Sequence, residues 1–174
     1  MLTDEILMLQ FQKGSREAFE HLYVRYHRLV YGFFRRRLQN SSRSEDLAQD
    51  TFLALIKASS RYQPQALFRS WLFGIAFNLL AAERRSESRS ATEDEVDVPV
   101  IEETDQVLWV REALAKLDPG EREILMLREY EQLSYLEIAA VLKLPEGTVR
   151  SRLFRARLAI KEVLEPTRQK EVRP

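Results

Sequence analysis

Apolar residues recur at helical spacing almost throughout this chain, and no run alternates apolar with polar residues for long enough to form a strand. This pattern predicts an all-α fold. The expected helices cover residues 4–12, 16–39, 43–58, 68–89, 105–117, 119–130, 135–142 and 146–163. Three N-caps are expected, each with a capping-box partner: Ser42 with Glu45, Asp118 (followed by Pro119) with Glu121, and Ser134 with Glu137.

One segment breaks the helical pattern. From Thr92 to Asp105 there are seven acidic residues and no basic one, together with Pro99. Such a segment buries too little apolar surface to offset the entropy of ordering it, which predicts a flexible acidic linker. We therefore expect two small helical domains, residues 1–90 and 106–165, joined by a linker at 91–105 and followed by a frayed tail at 166–174.

The formal net charge of the whole chain is zero, but the charge is segregated. Residues 1–85 carry a net charge of +5, residues 86–105 carry −7 and residues 106–174 carry +2. Two hypotheses for the acidic linker stay open. It is either a solvated charge run without a role, or its carboxylates compete with DNA phosphates for the basic surfaces.

The composition excludes several classes of protein. With no cysteine, a disulfide scaffold, a thiol nucleophile and a sulfur-ligated zinc site are ruled out, and a reducing cytosol fits best. The longest apolar stretch, Trp71–Ala82, is interrupted by Asn78 and is shorter than the roughly 18 residues that a membrane span needs. We expect a soluble cytoplasmic protein without membrane insertion.

Catalysis is not expected, because the phosphate-binding glycine motifs, HExxH and GxSxG are all missing from the sequence. The only histidines are His21 and His27. Glu17 and His21, four residues apart on a helix, could share a metal ion, but an ordinary surface pair is the favoured interpretation. We predict that the chain is not an enzyme and needs no cofactor.

The segment LSYLEIAAVLKLPEGTVRSRLFRARLAI has the pattern of a helix-turn-helix. Helical spacing places Val149, Leu153, Ala156 and Ile160 on one face, which should be buried. Residues 147–161 include five basic residues and no acidic one, as a major-groove helix would need. The alternative is an ordinary helical hairpin with a solvated basic face. The candidate DNA contacts are Thr148, Arg150, Ser151, Arg152, Phe154, Arg155 and Arg157.

The helix expected over residues 43–58 is apolar around most of its circumference, with Leu47, Ala48, Phe52, Ala54, Leu55 and Ile56. Its remaining narrow face carries Asp46, Gln49, Asp50, Leu53 and Lys57. This mixture of charged, amide and apolar side chains suits a protein partner better than nucleic acid. A plain solvent-facing edge is the equally weighted alternative.

The helix expected over residues 68–89 has a predicted core face and a predicted outer face. The core face comprises Phe68, Leu72, Ile75, Ala76 and Leu79, with Trp71 at its edge. The outer face comprises Phe73, Phe77, Asn78, Ala81, Arg84 and Arg85. Aromatic rings beside arginines favour single-stranded nucleic acid, because bases stack on the rings while guanidinium groups bind phosphates. A basic, aromatic stretch at residues 25–43 is either a similar surface or a helix whose arginines lie over its own core.

Taken together, these segments resemble a bacterial sigma factor of the sigma-70 family, of the extracytoplasmic-function (ECF) group that has only regions 2 and 4. The resemblance rests on SEDLAQDTFLALIKA and FRSWLFGIAFNLLAAERR for region 2, and on LDPGEREILMLREYEQLSYLEIAAVLKLPEGTVRSRLFRAR for region 4. It spans roughly residues 15–165 in the order and spacing of the family. A lone helix-turn-helix would be far less specific.

The resemblance implies a protein that joins core RNA polymerase, directs it to promoters and helps to open the duplex. Asp46, Gln49, Asp50 and Leu53 match the helix that binds the clamp helices of the largest polymerase subunit. Residues 59–67, with Tyr62, match the loop that captures a flipped base of the minus-ten element. The helix that contacts that element is matched by Trp71, Phe77, Asn78, Ala81, Arg84 and Arg85.

Residues 146–157 match the helix that reads the minus-thirty-five element, within a domain that also meets the flap of the second-largest subunit. The resemblance also implies an anti-sigma partner and a chain that is monomeric when free. Two residues depart from the family pattern: Phe77 often corresponds to a basic residue, and Lys143 stands where glycine is common. The rival function is an operator-binding regulator, which would bind duplex DNA without polymerase, often as a symmetric dimer.

Overall fold

The computed structural model describes residues 2–89 and 105–164, and the regular structure within those ranges is helical. The helices are α1 (Asp4–Gln12), α2 (Arg16–Arg35), α3 (Ser41–Ala58), α4 (Phe68–Arg89), α5 (Asp105–Ala115), α6 (Pro119–Glu129), α7 (Tyr135–Leu142) and α8 (Glu146–Leu164). A single 3-10 turn, Ser59–Arg61, follows α3. The all-α prediction is confirmed, and the helices group into two compact units, one built from α1–α4 and the other mostly from α5–α8.

The core of the first unit is formed by large side chains from all four of its helices. Met8, Leu22, Phe33, Leu55 and Leu72 are almost completely buried. The rings of Phe33 and Phe73 lie 5.8 Å apart and join α2 to α4. A fully buried side chain of this size contributes roughly 1.5–3 kcal/mol, so this packing fixes the positions of α3 and α4.

The predicted start of α3 is wrong. The N-cap is Asn40, whose side-chain oxygen accepts a hydrogen bond from the Arg43 backbone N–H at 2.8 Å, so Ser42 already lies inside the helix. Asparagine caps a helix as well as serine does, which explains why both residues fit the sequence pattern. The preceding helix, α2, ends at Arg35 rather than at residue 39. Beyond that end, the carbonyls of Leu38 and Gln39 accept hydrogen bonds from the Arg35 guanidinium.

The buried face of α4 is rotated from its predicted position. Phe73, expected on the outer face, is fully buried against α2, and Leu80 is buried as well, whereas Ile75 and Leu79 are only half-buried. Because both α2 and α3 pack against α4, its buried arc is set by two neighbours, and a helical wheel drawn for one core face misplaces it. Phe73 therefore belongs to the core.

In the second unit, the predicted helix-turn-helix is formed by α7 and α8. Ser134 and Glu137 make the predicted capping box at the start of α7, and Asp118 caps α6 ahead of Pro119. Lys143 ends α7 in the left-handed region, at φ 54° and ψ 45°. A residue with a Cβ pays about 1 kcal/mol for that conformation, as expected for lysine at a position where glycine is common.

The acidic linker at 91–105 and the tail at 166–174 fall outside the described residues, apart from Asp105 at the start of α5. Among the described helices, none is long and apolar enough to cross a membrane. His21 and Glu17 lie 3.8 Å apart as an exposed pair. Within the two described ranges, no group of three or more potential ligand side chains is arranged to hold a metal ion.

Candidate DNA and protein interfaces

The recognition-helix candidate, α8, packs on the rest of its unit along the face predicted from sequence. Val149, Leu153 and Ala156 are buried, and Ile160 is half-buried. The opposite face exposes Ser151, Arg155 and Phe154, whose side chain is 69% exposed. This face of α8 is therefore accessible to a partner.

Several arginines of α8 already have carboxylate partners. Arg150 pairs with Glu146 of its own helix at 2.9 Å, Arg155 pairs with Glu121 of α6 at 2.7 Å, and Arg157 pairs with Glu129 of α6 at 2.8 Å. Arg155 and Arg157 are two residues apart and therefore leave opposite edges of the helix. Each pair engages one guanidinium nitrogen, so a phosphate or base that binds these arginines competes with a carboxylate for part of the guanidinium.

Two other predicted contacts on α8 are less accessible. Thr148 is half-buried, and its carbonyl accepts a hydrogen bond from the Ser151 hydroxyl at 3.1 Å. Arg152 is half-buried beside Gly120, where an added Cβ would lie 3.1 Å from the guanidinium. Glycine at position 120 therefore leaves room for the Arg152 side chain against the start of α6.

An apolar groove of about 430 Å³ runs between α5, α6 and α8, and sequence reasoning did not predict it. Its lining includes Val110, Leu114, Leu125, Met126, Tyr130 and Ile160. Arg157, Lys161 and Glu129 also contribute to its walls. Trp109, which directly precedes the lining residue Val110, is 48% exposed. Residues 108–110 of α5 are three consecutive apolar residues, which cannot all lie on one buried face of a helix. This run is the signal in the sequence from which the groove could have been found.

The outer face of α3 matches its prediction and is larger than predicted. Asp46, Gln49 and Asp50 are exposed, and Leu53 is 52% exposed. Ile56, expected in the core, is also exposed. An exposed leucine and isoleucine one turn apart, beside two carboxylates, form an amphipathic strip that suits a helical protein partner.

The inner side of α3 is tied to α4 by a bidentate ion pair. The Arg43 guanidinium donates to both carboxylate oxygens of Glu83, each at 2.6 Å. This hydrogen bonding lowers the pKa of Glu83 below its ordinary value of 4.5, while partial burial opposes the shift. The pair sets the position of the outer face of α3 relative to the outer face of α4.

Residues 59–67, between α3 and α4, form a loop whose tip is exposed from Gln63 to Leu67. Tyr62 is buried, and its hydroxyl donates to the carbonyl of Ala66 at 2.8 Å. Burial, together with the nearby carboxylates of Glu5 and Asp4, raises the pKa of Tyr62 to about 12. Tyr62 is thus a neutral hydrogen-bond donor inside the loop, and its ring packs 5.0 Å from that of Trp71.

On α4, the polar residues predicted to contact DNA lie on the surface. Asn78, Arg84 and Arg85 are exposed, while Phe77 and Ala81 are half-buried. Trp71 is also half-buried, near the start of the helix. Because Phe73 is buried, the predicted outer face of α4 keeps one aromatic residue, Phe77. Trp71 lies at the N-terminal end of the helix, next to the loop at 59–67.

The basic stretch at residues 25–43 has structural partners at several positions. Arg25 and Tyr26 both hydrogen-bond to Asp4 of α1. The Arg37 guanidinium lies 3.9 Å from the centre of the Phe33 ring. Arg25 thus joins α2 to α1 and Arg43 joins α3 to α4, whereas Arg35 and Arg37 bond to residues at or just after the end of α2 itself.

Comparison with known proteins places both units in one family. The family model for sigma-70 region 2 matches residues 22–90, and that for sigma-70 region 4 matches residues 108–160. The RNA polymerase sigma-H factor of Pseudomonas aeruginosa is 32% identical, over 95% of this chain and 97% of that protein. The ECF RNA polymerase sigma-E factor of Escherichia coli K12 is 33% identical, over 95% of this chain and 96% of that protein.

Two solved structures share the fold. CnrH in complex with the cytosolic domain of CnrY aligns at a TM-score of 0.72 and 29% identity, covering 94% of this chain and 98% of that one. The sigma factor RpoE in complex with the anti-sigma factor NepR, from Bartonella quintana, aligns at 0.69 and 24% identity, covering 86% and 98%. The similarity to RpoE extends to the fold alone.

Proposed function

The chain belongs to the extracytoplasmic-function group of the sigma-70 family and directs RNA polymerase to promoters, and we propose how its two units divide that task. The first unit, α1–α4, binds polymerase and reads and opens the minus-ten element. The second unit, α5–α8, reads the minus-thirty-five element. The observation that carries this proposal is that both region models match in order, each on a unit that exposes the faces such a division needs.

The polymerase contact of the first unit is the outer face of α3, formed by Asp46, Gln49, Asp50 and Leu53 and extended by Ile56. Its exposed apolar groups drive docking onto the clamp helices of the largest subunit, and the carboxylates and the amide fix the orientation. The geometry supporting this role is the Arg43–Glu83 pair, which holds α3 against α4.

The minus-ten element is read by the loop at 59–67 and by the outer face of α4. Asn78, Arg84 and Arg85 are accessible for bases and phosphates, and Phe77 and Trp71, both half-buried, are the aromatic side chains available to a base. A base leaving the duplex costs unstacking energy, which contacts with the loop partly recover. Tyr62 shapes that loop from within, because its hydroxyl is bonded to Ala66.

The minus-thirty-five element is read by α8. Arg150, Ser151, Phe154 and Arg155 lie on its accessible side, and Thr148 and Arg152 lie at its half-buried edge. Arg157 lines the apolar groove, and it binds either the DNA phosphate backbone or the protein that docks in the groove. A guanidinium bonded to both acceptors of a guanine contributes about 1–3 kcal/mol of discrimination, which favours Arg155 and Arg150 as the reading residues.

The apolar groove of the second unit docks the flap of the second-largest polymerase subunit. The groove combines mostly apolar lining with the charged side chains of Glu129, Arg157 and Lys161, as suits an amphipathic segment. Docking at this groove would leave the accessible side of α8 free for DNA.

An anti-sigma partner is the second protein contact that we propose, since the related CnrH was solved with the cytosolic domain of CnrY bound. The exposed Leu53 and Ile56 offer such a partner the same face that polymerase uses, so binding would be exclusive. The chain acts in the cytoplasm as a monomer until it joins polymerase, and it needs neither a cofactor nor catalysis of its own.

The test is a pull-down and run-off transcription assay with core RNA polymerase and a pool of genomic upstream fragments. We expect the chain to co-purify with core and to yield discrete transcripts that core alone does not make. If it instead ignores core and shifts duplex fragments by itself, the operator-binding regulator is the correct assignment.

A further inference from the structure

The loop at 59–67 is fastened at its first end by a side chain from α1. The amide nitrogen of Gln12 donates to the carbonyl of Ser59 at 2.6 Å and to the carbonyl of Tyr62 at 2.9 Å. A primary amide has two N–H donors, so one half-buried side chain holds both sides of the 3-10 turn. Gln12 lies 47 and 50 positions before its partners, so these bonds depend on the folded unit.

The second end of the loop is fastened by the same helix. The Glu5 carboxylate accepts the backbone N–H of Phe68 at 3.1 Å, and Phe68 is the first residue of α4. An N–H at that position has no acceptor within its own helix, so the carboxylate supplies one. Burial acts to raise the pKa of Glu5, but the hydrogen bonds from the backbone of Glu5 itself, from the backbone of Phe68 and from the Thr3 side chain together lower it.

Between these two ends, the loop has internal bonds and an accessible tip. The Ala66 N–H donates to the carbonyl of Gln63 at 3.0 Å, in addition to the bond from the Tyr62 hydroxyl to Ala66. The side chains from Gln63 to Leu67 remain exposed. The loop therefore has one defined shape without nucleic acid, and its tip is accessible.

We propose that Gln12 and Glu5 are positioning residues that hold the loop at 59–67 in its base-binding shape before promoter DNA arrives. The inference rests on the proposed capture of an extruded base by this loop, and it assigns α1 a part in promoter opening. A loop that became ordered only on binding would lose conformational entropy at that step and bind more weakly. Two side chains on one helix avoid this loss.

The test compares holoenzymes made from core polymerase and the full chain carrying either Gln12→Met or Gln10→Met. Methionine matches the length of glutamine and its helix propensity but lacks the amide donors. Gln10 is on the same helix and is exposed, so its substitution is the matched control. The probe is a fluorescent single-stranded minus-ten oligonucleotide from a promoter that the run-off assay identifies, made intact and with an abasic site at each position in turn.

We expect the wild-type holoenzyme to lose affinity when the abasic site falls on the captured base. Gln12→Met should weaken binding of the intact strand about fivefold, because two hydrogen bonds to the loop are lost. On the strand that lacks the captured base, wild type and Gln12→Met should bind equally. On every other abasic strand the fivefold difference should persist, and Gln10→Met should behave as wild type throughout.

An equal loss for Gln12→Met on all strands, including the one without the captured base, would overturn the positioning role while leaving base capture intact. If no abasic site weakens the wild type, base capture itself fails and the inference fails with it. Glu5→Ala provides the second variant should Gln12→Met not assemble with core. It removes the acceptor at Phe68 and should show the same position-dependent pattern.

Discussion

The ion pairs of the two units serve different purposes. In the first unit they join helices to one another, as Arg43 does with Glu83 and Arg25 with Asp4. In the second unit they involve the candidate DNA-reading arginines themselves, Arg155 and Arg157. The ion pairs of the first unit thus hold its surfaces in shape, whereas those of the second unit compete with phosphates or bases for the same guanidinium groups. We expect this competition to reduce the DNA affinity that Arg155 and Arg157 contribute.

The largest expected effect concerns the core of the first unit. Phe73→Ala should lower the free energy of unfolding by about 3–5 kcal/mol, because it removes a fully buried ring beside Phe33. Phe77→Ala, on the half-buried neighbouring face, should cost clearly less. Denaturant unfolding followed by circular dichroism measures both. Equal losses for the two variants would contradict the assignment of Phe73 to the core.

The next effect concerns the outer face of α3. Leu53→Ala should weaken binding to core polymerase about tenfold, since it removes an exposed apolar anchor without disturbing the core. Val24→Ala is the matched control, because Val24 is even more exposed and lies on α2. Affinity is measured by fluorescence anisotropy of the labelled chain with core. If both variants bind core like the wild type, the docking face lies elsewhere.

A pH dependence follows from the Arg43–Glu83 pair. Because the folded pKa of Glu83 lies below its ordinary value of 4.5, the pair stabilises the first unit above that pH. The contribution disappears as the pH falls through the folded pKa. Arg43→Met should cost roughly 1–2 kcal/mol at neutral pH, a range discounted for the partial exposure of Arg43.

The same variant should lose less as the pH falls through the folded pKa of Glu83, because protonation of the carboxylate removes the ion pair from the wild type. Denaturant unfolding of wild type and Arg43→Met at neutral pH and at a series of acidic pH values below 4.5 measures the difference. A difference that stays constant across this range would show that Arg43 acts through packing rather than through charge.

The smallest effect concerns competition on α8. Glu121→Gln releases Arg155 from its carboxylate, so duplex carrying the upstream element should bind about twofold to threefold more tightly at low salt. The control is Glu112→Gln, which removes the same charge from an exposed position on α5. Titration of labelled duplex at two salt concentrations measures both variants. A weaker affinity for Glu121→Gln would mean that Glu121 orients Arg155 instead of competing for it.

The sequence predicted best the features that depend on neighbouring residues. The capping box of Ser134 and Glu137 and the Asp118 cap are each set within a few positions of the chain, and the structure has both as predicted. The start of α3 failed for the same local reason, because Asn40 and Ser42 are both good caps and only the folded helix selects one.

Features that depend on distant segments were missed. The rotation of the buried face of α4 requires knowing that Phe33 reaches Phe73, and the groove of the second unit requires α5, α6 and α8 together. The bonds from Gln12 and Glu5 to the loop span up to 63 positions. A periodic pattern in the sequence does not contain these pairings. The outer face of α3 could be predicted because its residues share one face of one helix: Asp46, Gln49, Asp50 and Leu53.

The division of labour between the two units is tested most directly by crossing variants with promoter changes. Holoenzymes carrying Arg155→Ala or Asn78→Ala would transcribe a promoter from the run-off assay, intact or with its upstream or downstream element altered. We expect Arg155→Ala to respond less than the wild type to changes in the upstream element and as the wild type does to changes in the downstream element. Asn78→Ala should show the reverse pattern. If each variant instead responded to both elements as the wild type does, the division would be wrong.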